Sequence, residues 1–187
     1  MNSYSRKLLK AVLICGFAGC CVAPFVARAD ADYQIFVTNE KSGDVTVIDG
    51  ASQKAVATIP VGKRPRGIHV SPDGKTVYVA VSGTPISAPP QLDAKGNPIF
   101  KRGKDDDDDD AAKSDKSADG IAVVDVQQRK FLRKIPAGSD PEQFSLSADG
   151  KLLFISNEDV GTASVLNIAS EKVEHIIPLH KEPEGVG

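Results

Sequence analysis

From residue 33 onward, apolar and polar positions alternate at period two in short runs, each closed by a cluster of Gly, Pro, Asp, Asn or Ser. Gln34 to Thr38, Val45 to Asp49 and Ala55 to Val61 read as three successive strands. Gly67 to Ser71, Thr76 to Val81, Ile121 to Asp125 and Phe131 to Ala137 read as the next group. Gln143 to Ser147, Leu152 to Ser156, Ala163 to Asn167 and Val173 to Leu179 complete the series. Most are rich in β-branched and aromatic side chains, which suit a pleated surface. The turns Pro72-Asp73-Gly74 and Ala148-Asp149-Gly150 end in a glycine that supplies positive φ, and their Asp bonds the backbone that follows. No long helix fits these spacings, so a parallel α/β sheet is excluded.

The same order of elements recurs. Pro65-Arg66-Gly67-Ile68-His69-Val70-Ser71-Pro72-Asp73-Gly74-Lys75 aligns with the eleven residues from Pro141 to Lys151, 76 positions later, and its start returns at Pro183, 42 positions further on. The longer first interval contains the 34 residues Pro85 to Ala118, with Pro85, Pro89, Pro90, Pro98 and the Asp105 to Asp110 run, and they read as a disordered charged insertion. Four antiparallel strands per unit of about 42 residues is the pattern of a propeller blade, because so small a sheet buries its two faces only by stacking on neighbours. A β-sandwich also has short strands, but does not require the same tetrad three times. The expectation is an all-β fold, a β-propeller of about three four-stranded antiparallel blades in an incomplete ring. Closed rings have about four to eight blades. The first blade starts at a second strand, and Glu184 to Gly187 begins another first strand. A fragment of a longer propeller is expected, with ring completion by oligomerisation and an open piece as alternatives.

Residues 1–29 read as a signal peptide. Arg6, Lys7 and Lys10 precede an apolar stretch from Ala11 to Ala23, and Ala27-Arg28-Ala29 presents small residues for cleavage before Asp30. The apolar stretch is short for a membrane anchor and is interrupted by Gly16 and Gly19. Phe17-Ala18-Gly19-Cys20 offers a lipoprotein signal as the minor alternative, with Cys20 lipidated. The expected location is periplasmic or secreted, with residues 30–187 forming the repeat domain and no transmembrane segment after signal removal.

Ile35-Phe36-Val37-Thr38-Asn39, Val77-Tyr78-Val79-Ala80-Val81 and Leu153-Phe154-Ile155-Ser156-Asn157 stand at equivalent repeat positions. With Val45-Thr46-Val47-Ile48-Asp49 and Ser71-Pro72-Asp73-Gly74-Lys75, the chain resembles the bacterial β-propeller proteins with the Tyr-Val-Thr-Asn (YVTN) repeat. The strings Arg64-Pro65-Arg66-Gly67, Asp140-Pro141-Glu142 and Glu182-Pro183-Glu184-Gly185 are similar to the subgroup associated with periplasmic quinoprotein (pyrroloquinoline quinone, PQQ) alcohol catabolism. The resemblance implies a periplasmic quinoprotein dehydrogenase or cytochrome c as partner.

The net charge is −2, and all four charges before Asp30 are basic, so the remainder is more acidic still and a general nucleic-acid binder is not expected. The three cysteines all precede Ala23. His69, His175 and His180 lack metal-site spacing, and no nucleophile elbow or phosphate loop occurs. No catalytic residue or cofactor is evident. Asp49, Asp73, Asp125 and Asp149 recur with the repeat and are read as turn residues. Asp105, Asp106, Asp107, Asp108, Asp109 and Asp110 attract cations weakly, without the interrupted spacing that wraps one ion. The loops leading into the first strands differ in charge between units, against drift at exposed sites as the competing explanation. Asn39, Arg64, Arg66, His69, Glu142 and Glu184 are therefore the candidate ligand or partner site at one mouth of the channel. The functional expectation is a non-enzymatic binding scaffold accessory to quinoprotein- or cytochrome-linked oxidation. The alternatives are a propeller enzyme or redox carrier of lactonase, lyase or haem-bearing reductase type, and a cell-surface adhesion module.

Overall fold

The computed structural model describes residues 33–86, 92–98 and 114–187. Residues 1–29, for which a signal peptide is expected, Cys20 among them, and the Asp105 to Asp110 run lie outside the described residues. Three antiparallel sheets follow in chain order. The first blade contains β1 (Gln34–Asn39), β2 (Asp44–Asp49) and β3 (Lys54–Pro60). The middle blade contains β4 (Ile68–Val70), β5 (Thr76–Val81), β6 (Gly120–Asp125) and β7 (Lys130–Ile135), and the third contains β8 (Pro141–Leu146), β9 (Leu152–Asn157), β10 (Thr162–Asn167) and β11 (Lys172–Pro178). The fold is all-β and propeller-like, with the ring open. Strand bounds agree with the alternation to within about two residues. The clearest difference is β8, which opens at Pro141, where a missing N–H is tolerated at a strand's first position. Inside the 85–118 segment, the described residues include a Leu92–Pro98 bridge closing a turn and a 3-10 turn at Lys116–Ala118. Among the described residues no helix is long and apolar enough to cross a membrane.

Period two in the middle blade sorts side chains to two buried faces. Val77, Val79, Val81, Ala122 and Val124 pack with Val45, Val47 and Ile59 of the first blade. The intervening Tyr78, Ala80, Ile121 and Val123 pack with Phe144, Leu153, Ile155 and Leu166 of the third. The cross-strand register places Val79 opposite Ala122 and Tyr78 opposite Val123, so each face stays uniform across both strands. The unbroken apolar run from Val77 to Val81 is the consequence of burial on both sides.

The repeat extends to backbone irregularities. A register shift interrupts the pairing of third and fourth strands at Val47/Ile48, Val123/Val124 and Val165/Leu166. The turn after each shift holds a non-glycine residue at positive φ: Gln53 at 55°, Arg129 at 53° and Glu171 at 56°. Left-handed backbone costs an L-residue roughly 1–2 kcal/mol, part of which glycine loses again in entropy. Gln53→Gly is expected to raise stability by about 0.5–1 kcal/mol and Gln53→Val to lower it, read from urea unfolding midpoints.

The hairpin between the first and second strands is closed by Asp73 or Asp149. Asp149 Oδ1 accepts from Ser147 Oγ at 2.7 Å and from the Lys151 N–H at 3.1 Å. The Ser147 hydroxyl, then the Lys151 backbone and ammonium groups, bring the Asp149 carboxyl down to about 2. Since its folded value lies below the unfolded value near 4, the contribution is complete above that unfolded value and is lost as pH falls through about 2. Asp149→Asn is expected to flatten the dependence of Tm on pH between roughly 4 and 2, measured by thermal melts at low ionic strength.

Candidate functional site

Second-to-third strand loops and the connections into each first strand emerge at the same end of every blade. The pairing Val61 N–H to Gly43 O at 3.0 Å ties them in the first blade, and Leu179 N–H to Gly161 O at 2.8 Å does so in the third. This loop-bearing face contains both roots of the 85–118 segment. The Asp115 N–H donates to Gly83 O at 3.1 Å, and the Thr84 and Ser114 hydroxyls lie 3.0 Å apart.

At its centre, Arg66 touches all three blades. Its carbonyl accepts from Thr38 Oγ1 of β1 at 3.1 Å, and its N–H donates to Ala80 O of β5 at 2.9 Å. The guanidinium crosses to the third blade, where Nη1 donates to Glu158 Oε2 at 2.7 Å and Nη2 to Pro141 O at 3.1 Å. Nη2 also donates to Asp140 Oδ1, and Nη1 pairs with Glu142. The Arg66 and Asp140 side chains are 7% and 2% exposed, so this is a buried charge cluster. Asp140 is held on other sides as well: Ser82 Oγ donates to its Oδ1, and its N–H donates to Asp119 Oδ2 at 3.0 Å. Asp119 Oδ1 accepts from the Gly83 N–H at 2.7 Å. Burial pushes the Glu158 carboxyl up against the pull of Arg66, and burial lowers the Arg66 guanidinium. Arg66 Nε is buried with no partner among the described residues.

The connection that presents this cluster has its own repeat geometry. Arg64, Asp140 and Glu182, each preceding a proline, all take positive φ, at 44°, 50° and 53°. Upstream, Gly138 sits at φ 110° against the buried Asn157 side chain, with no room for a Cβ.

The six sequence candidates are distributed unevenly over this face. Arg66 and Glu142 meet in the buried cluster. Arg64 Nε donates to Glu40 Oε1 at 2.9 Å beside it. His69, in β4, is exposed and meets Phe144 edge-on with ring centroids 5.0 Å apart. Glu184 is exposed, and its carbonyl accepts from Ser156 Oγ at 3.2 Å. Asn39 spends its amide on its own hairpin, donating to Asp44 Oδ1 at 2.7 Å and Thr46 Oγ1 at 2.8 Å, and Asn157 repeats this clasp with Thr162 and Ser164. Ser82, Asp119 and Glu158 were not singled out by sequence reading. Only the sign reversal between Arg64/Arg66 and Asp140/Glu142 hinted at pairing across blades.

Between the first two blades the face opens into a cleft of ≈ 600 Å³ bordered by Glu40, Lys63, Arg64, Thr84 and Asp115. Lys63 Nζ reaches Asp115 Oδ2 at 2.8 Å, and with Ser117 it holds the Asp115 carboxyl at about 2. Among the described residues no group of three His, Cys, Asp or Glu side chains is placed to hold a metal ion.

The family described as the choice-of-anchor I domain matches residues 20–182, which includes every strand of the three blades. The chain belongs to the choice-of-anchor I domain family. This choice-of-anchor I chain is similar to antigen Lp49 of Leptospira interrogans serogroup Icterohaemorrhagiae serovar copenhageni (strain Fiocruz L1-130), 27% identical over 139 residues, 65% of this chain and 30% of the antigen. It is also similar to Kuenenia stuttgartiensis hydrazine synthase, at TM-score 0.55 and 26% identity over 79% of this chain and 34% of that one. A putative 6-phosphogluconolactonase from Bacteroides fragilis NCTC 9343 matches at TM-score 0.50 and 19% identity, covering 79% of this chain and 36% of that one, a likeness of fold alone. The chain thus spans about a third of the length of the proteins it matches. Within the choice-of-anchor I domain, the propeller-like fold and its loop-bearing face fit a binding or scaffold role.

Proposed function

We propose that this chain supplies a non-enzymatic binding face to an exported β-propeller, and that the face recognises a protein or ligand through its loops. The observation that carries the reading is the cleft between the first two blades, bordered by charges of both signs and walled by the roots of the 85–118 segment. Concave sites of 300–1,000 Å³ are of the size that takes small ligands or a partner's loop. Of the six candidates, Arg64 borders the cleft, Arg66 and Glu142 pair with each other in the buried cluster, and Asn39, His69 and Glu184 lie outside the cleft's lining. The resemblance to YVTN-repeat propellers of the PQQ-associated subgroup supports a periplasmic role accessory to quinoprotein- or cytochrome-linked alcohol oxidation.

Surface plasmon resonance with the immobilised full chain tests this, using the quinoprotein alcohol dehydrogenase and the cytochrome c of the same organism as probes. The expected result is saturable binding by one of them, weakened roughly tenfold or more when Lys63→Glu and Arg64→Glu are combined, since rim charges govern encounter and register. Absence of binding by both probes overturns the accessory reading. The similarity to hydrazine synthase supports a second reading, as part of a propeller enzyme, of which a haem-bearing type is one form. A visible absorption band on the purified full chain would establish that form, because haem absorbs there and unmodified polypeptide does not.

A further inference from the structure

Three carboxylates of the third blade bond to one guanidinium. Arg66 Nη2 serves Asp140, and Nη1 serves both Glu142 and Glu158. Among the described residues no second cation bonds to any of the three. Arg64 Nε is spent on Glu40, and the Lys116 ammonium on Asp159. Asp119, 6% exposed, adds a fourth carboxylate, met by the backbone N–H groups of Gly83 and Asp140. Two carboxylates brought to the same nitrogen repel each other, and such a pair relieves the repulsion by holding one proton. The first blade shows the contrast. Glu40 is the repeat equivalent of Glu158, and it pairs one to one with Arg64.

Glu158 opens the turn between β9 and β10, and its side chain helps to fasten that turn. Its N–H donates to Asp140 O at 3.1 Å, and its carbonyl accepts from the Gly161 N–H at 3.3 Å. The next residue, Asp159, accepts from Thr84 Oγ1 at 3.3 Å and from Lys116 Nζ. Val160, further along the turn, is exposed. The Glu158 side chain is 29% exposed, so it exchanges a proton with water directly and has a short path outward, whereas Asp140 is enclosed. Charged groups face Glu158 from every side: Arg66 and Arg64 from the connection into β4, Asp140 from the connection into β8, Glu142 from β8 and Asp159 from its own turn. Burial, with Asp140 and Asp159, makes Glu158 hold a proton more tightly than usual, against the pull of the two arginines.

We propose that the β9–β10 turn is a latch worked by a single proton, shared between Glu142 and Glu158 on Arg66 Nη1. With the proton in place, the Glu158 carboxyl donates it to Glu142, and both groups stay on the guanidinium. When water takes the proton, the two charges repel. Glu142, fixed in β8, keeps Nη1, and Glu158 swings out with its turn. The latch is therefore closed at lower pH and opens as pH rises. The turn is the element with two arrangements that such coupling requires. Thr84 borders the cleft and bonds to Asp159, so opening reaches the cleft wall. That last consequence rests on the binding role proposed above, and the latch itself does not.

Nuclear magnetic resonance of the isotope-labelled full chain, without ligand, tests it. One glutamate carboxyl is expected to titrate above the ordinary glutamate range, and the amides of residues 158–161 to shift with the same midpoint. Hydrogen exchange of those amides, corrected for its intrinsic pH dependence, is expected to quicken roughly tenfold or more across that midpoint. Glu142→Gln removes the repelling charge and is expected to return the Glu158 midpoint toward the ordinary range. Glu158→Gln imitates the protonated carboxyl and is expected to keep exchange of the turn slow at every pH. Where Glu142→Gln does not fold, the wild-type chain and Glu158→Gln decide between them. Glutamates that all titrate in the ordinary range overturn the proposal. A raised carboxyl with no change in exchange of the turn amides overturns the latch, and a midpoint that Glu142→Gln leaves in place overturns the sharing. These readouts need no ligand, so they stand whether or not the loop-bearing face binds a probe.

Discussion

Arg66→Ala is expected to destabilise the full chain by about 3–5 kcal/mol, the cost of removing one partner from a buried ion pair. The loss exceeds that of a surface bridge because the guanidinium serves Asp140, Glu142, Glu158 and the Pro141 carbonyl at once, at a side chain 7% exposed. Its removal leaves Asp140 inside the protein with only neutral donors such as Ser82. Arg66→Lys is expected to fall between the two, since an ammonium is a point charge and cannot fork to carboxylate and carbonyl together. In a double-mutant cycle, Asp140→Asn is expected to cost less in the Arg66→Ala background than in the wild type, because the uncompensated charge has gone. Chemical unfolding of the four proteins checks this, and simple additivity of the two costs would sink it. The pH dependence has a definite sign. Burial raises the Glu158 carboxyl above its ordinary value, so the folded state binds its proton more tightly than the unfolded chain. Its contribution therefore favours folding at lower pH and is lost as pH rises through the raised value. Arg66→Ala is expected to extend this window upward by removing the opposing cation.

Phe144→Ala is expected to cost a similar 3–5 kcal/mol, through lost burial and the cavity left behind. Phe144 is fully buried in the cluster joining the middle and third blades, opposite Ile155 and under the edge of His69. For a unit of this size the loss corresponds to a fall in Tm of roughly 10 °C. Blade arrays are stabilised largely by nearest-neighbour contacts. Weakening this junction is therefore expected to separate the third blade's unfolding from the rest, seen as faster hydrogen exchange in β8–β11 than in β1–β3. Uniform acceleration across all blades would show instead that the chain unfolds as one unit.

Strand positions were readable because the evidence for them is local. A short run of apolar, mostly β-branched residues between turn residues places β5 at Thr76–Val81, the bounds the structure shows. Asp73 and Asp149 were legible as turn residues for the same reason, since an Asx turn needs only its own next few residues. The recurrence of register shifts and left-handed turn residues at repeat spacing explains why self-alignment located the blades so well. The candidate site was less legible. Asn39 stands among the sequence candidates with Arg66, yet its amide is committed to Asp44 and Thr46 in its own hairpin. The contrast of Arg66 with Glu142 was visible as a difference between repeats, but a difference does not disclose that the two groups meet.

The sequence by itself therefore determined the strand positions and the blade repeat, because hydrophobic patterning and turn chemistry act over a few neighbouring residues. Tertiary structure alone decided which charges join. Arg66 finds Asp140 74 positions away and Glu158 92 positions away only once blades stack and their loops meet at one end. That choice rests on the cost of burying a charge without a partner, a quantity set by the assembled surroundings and by nothing in the local pattern.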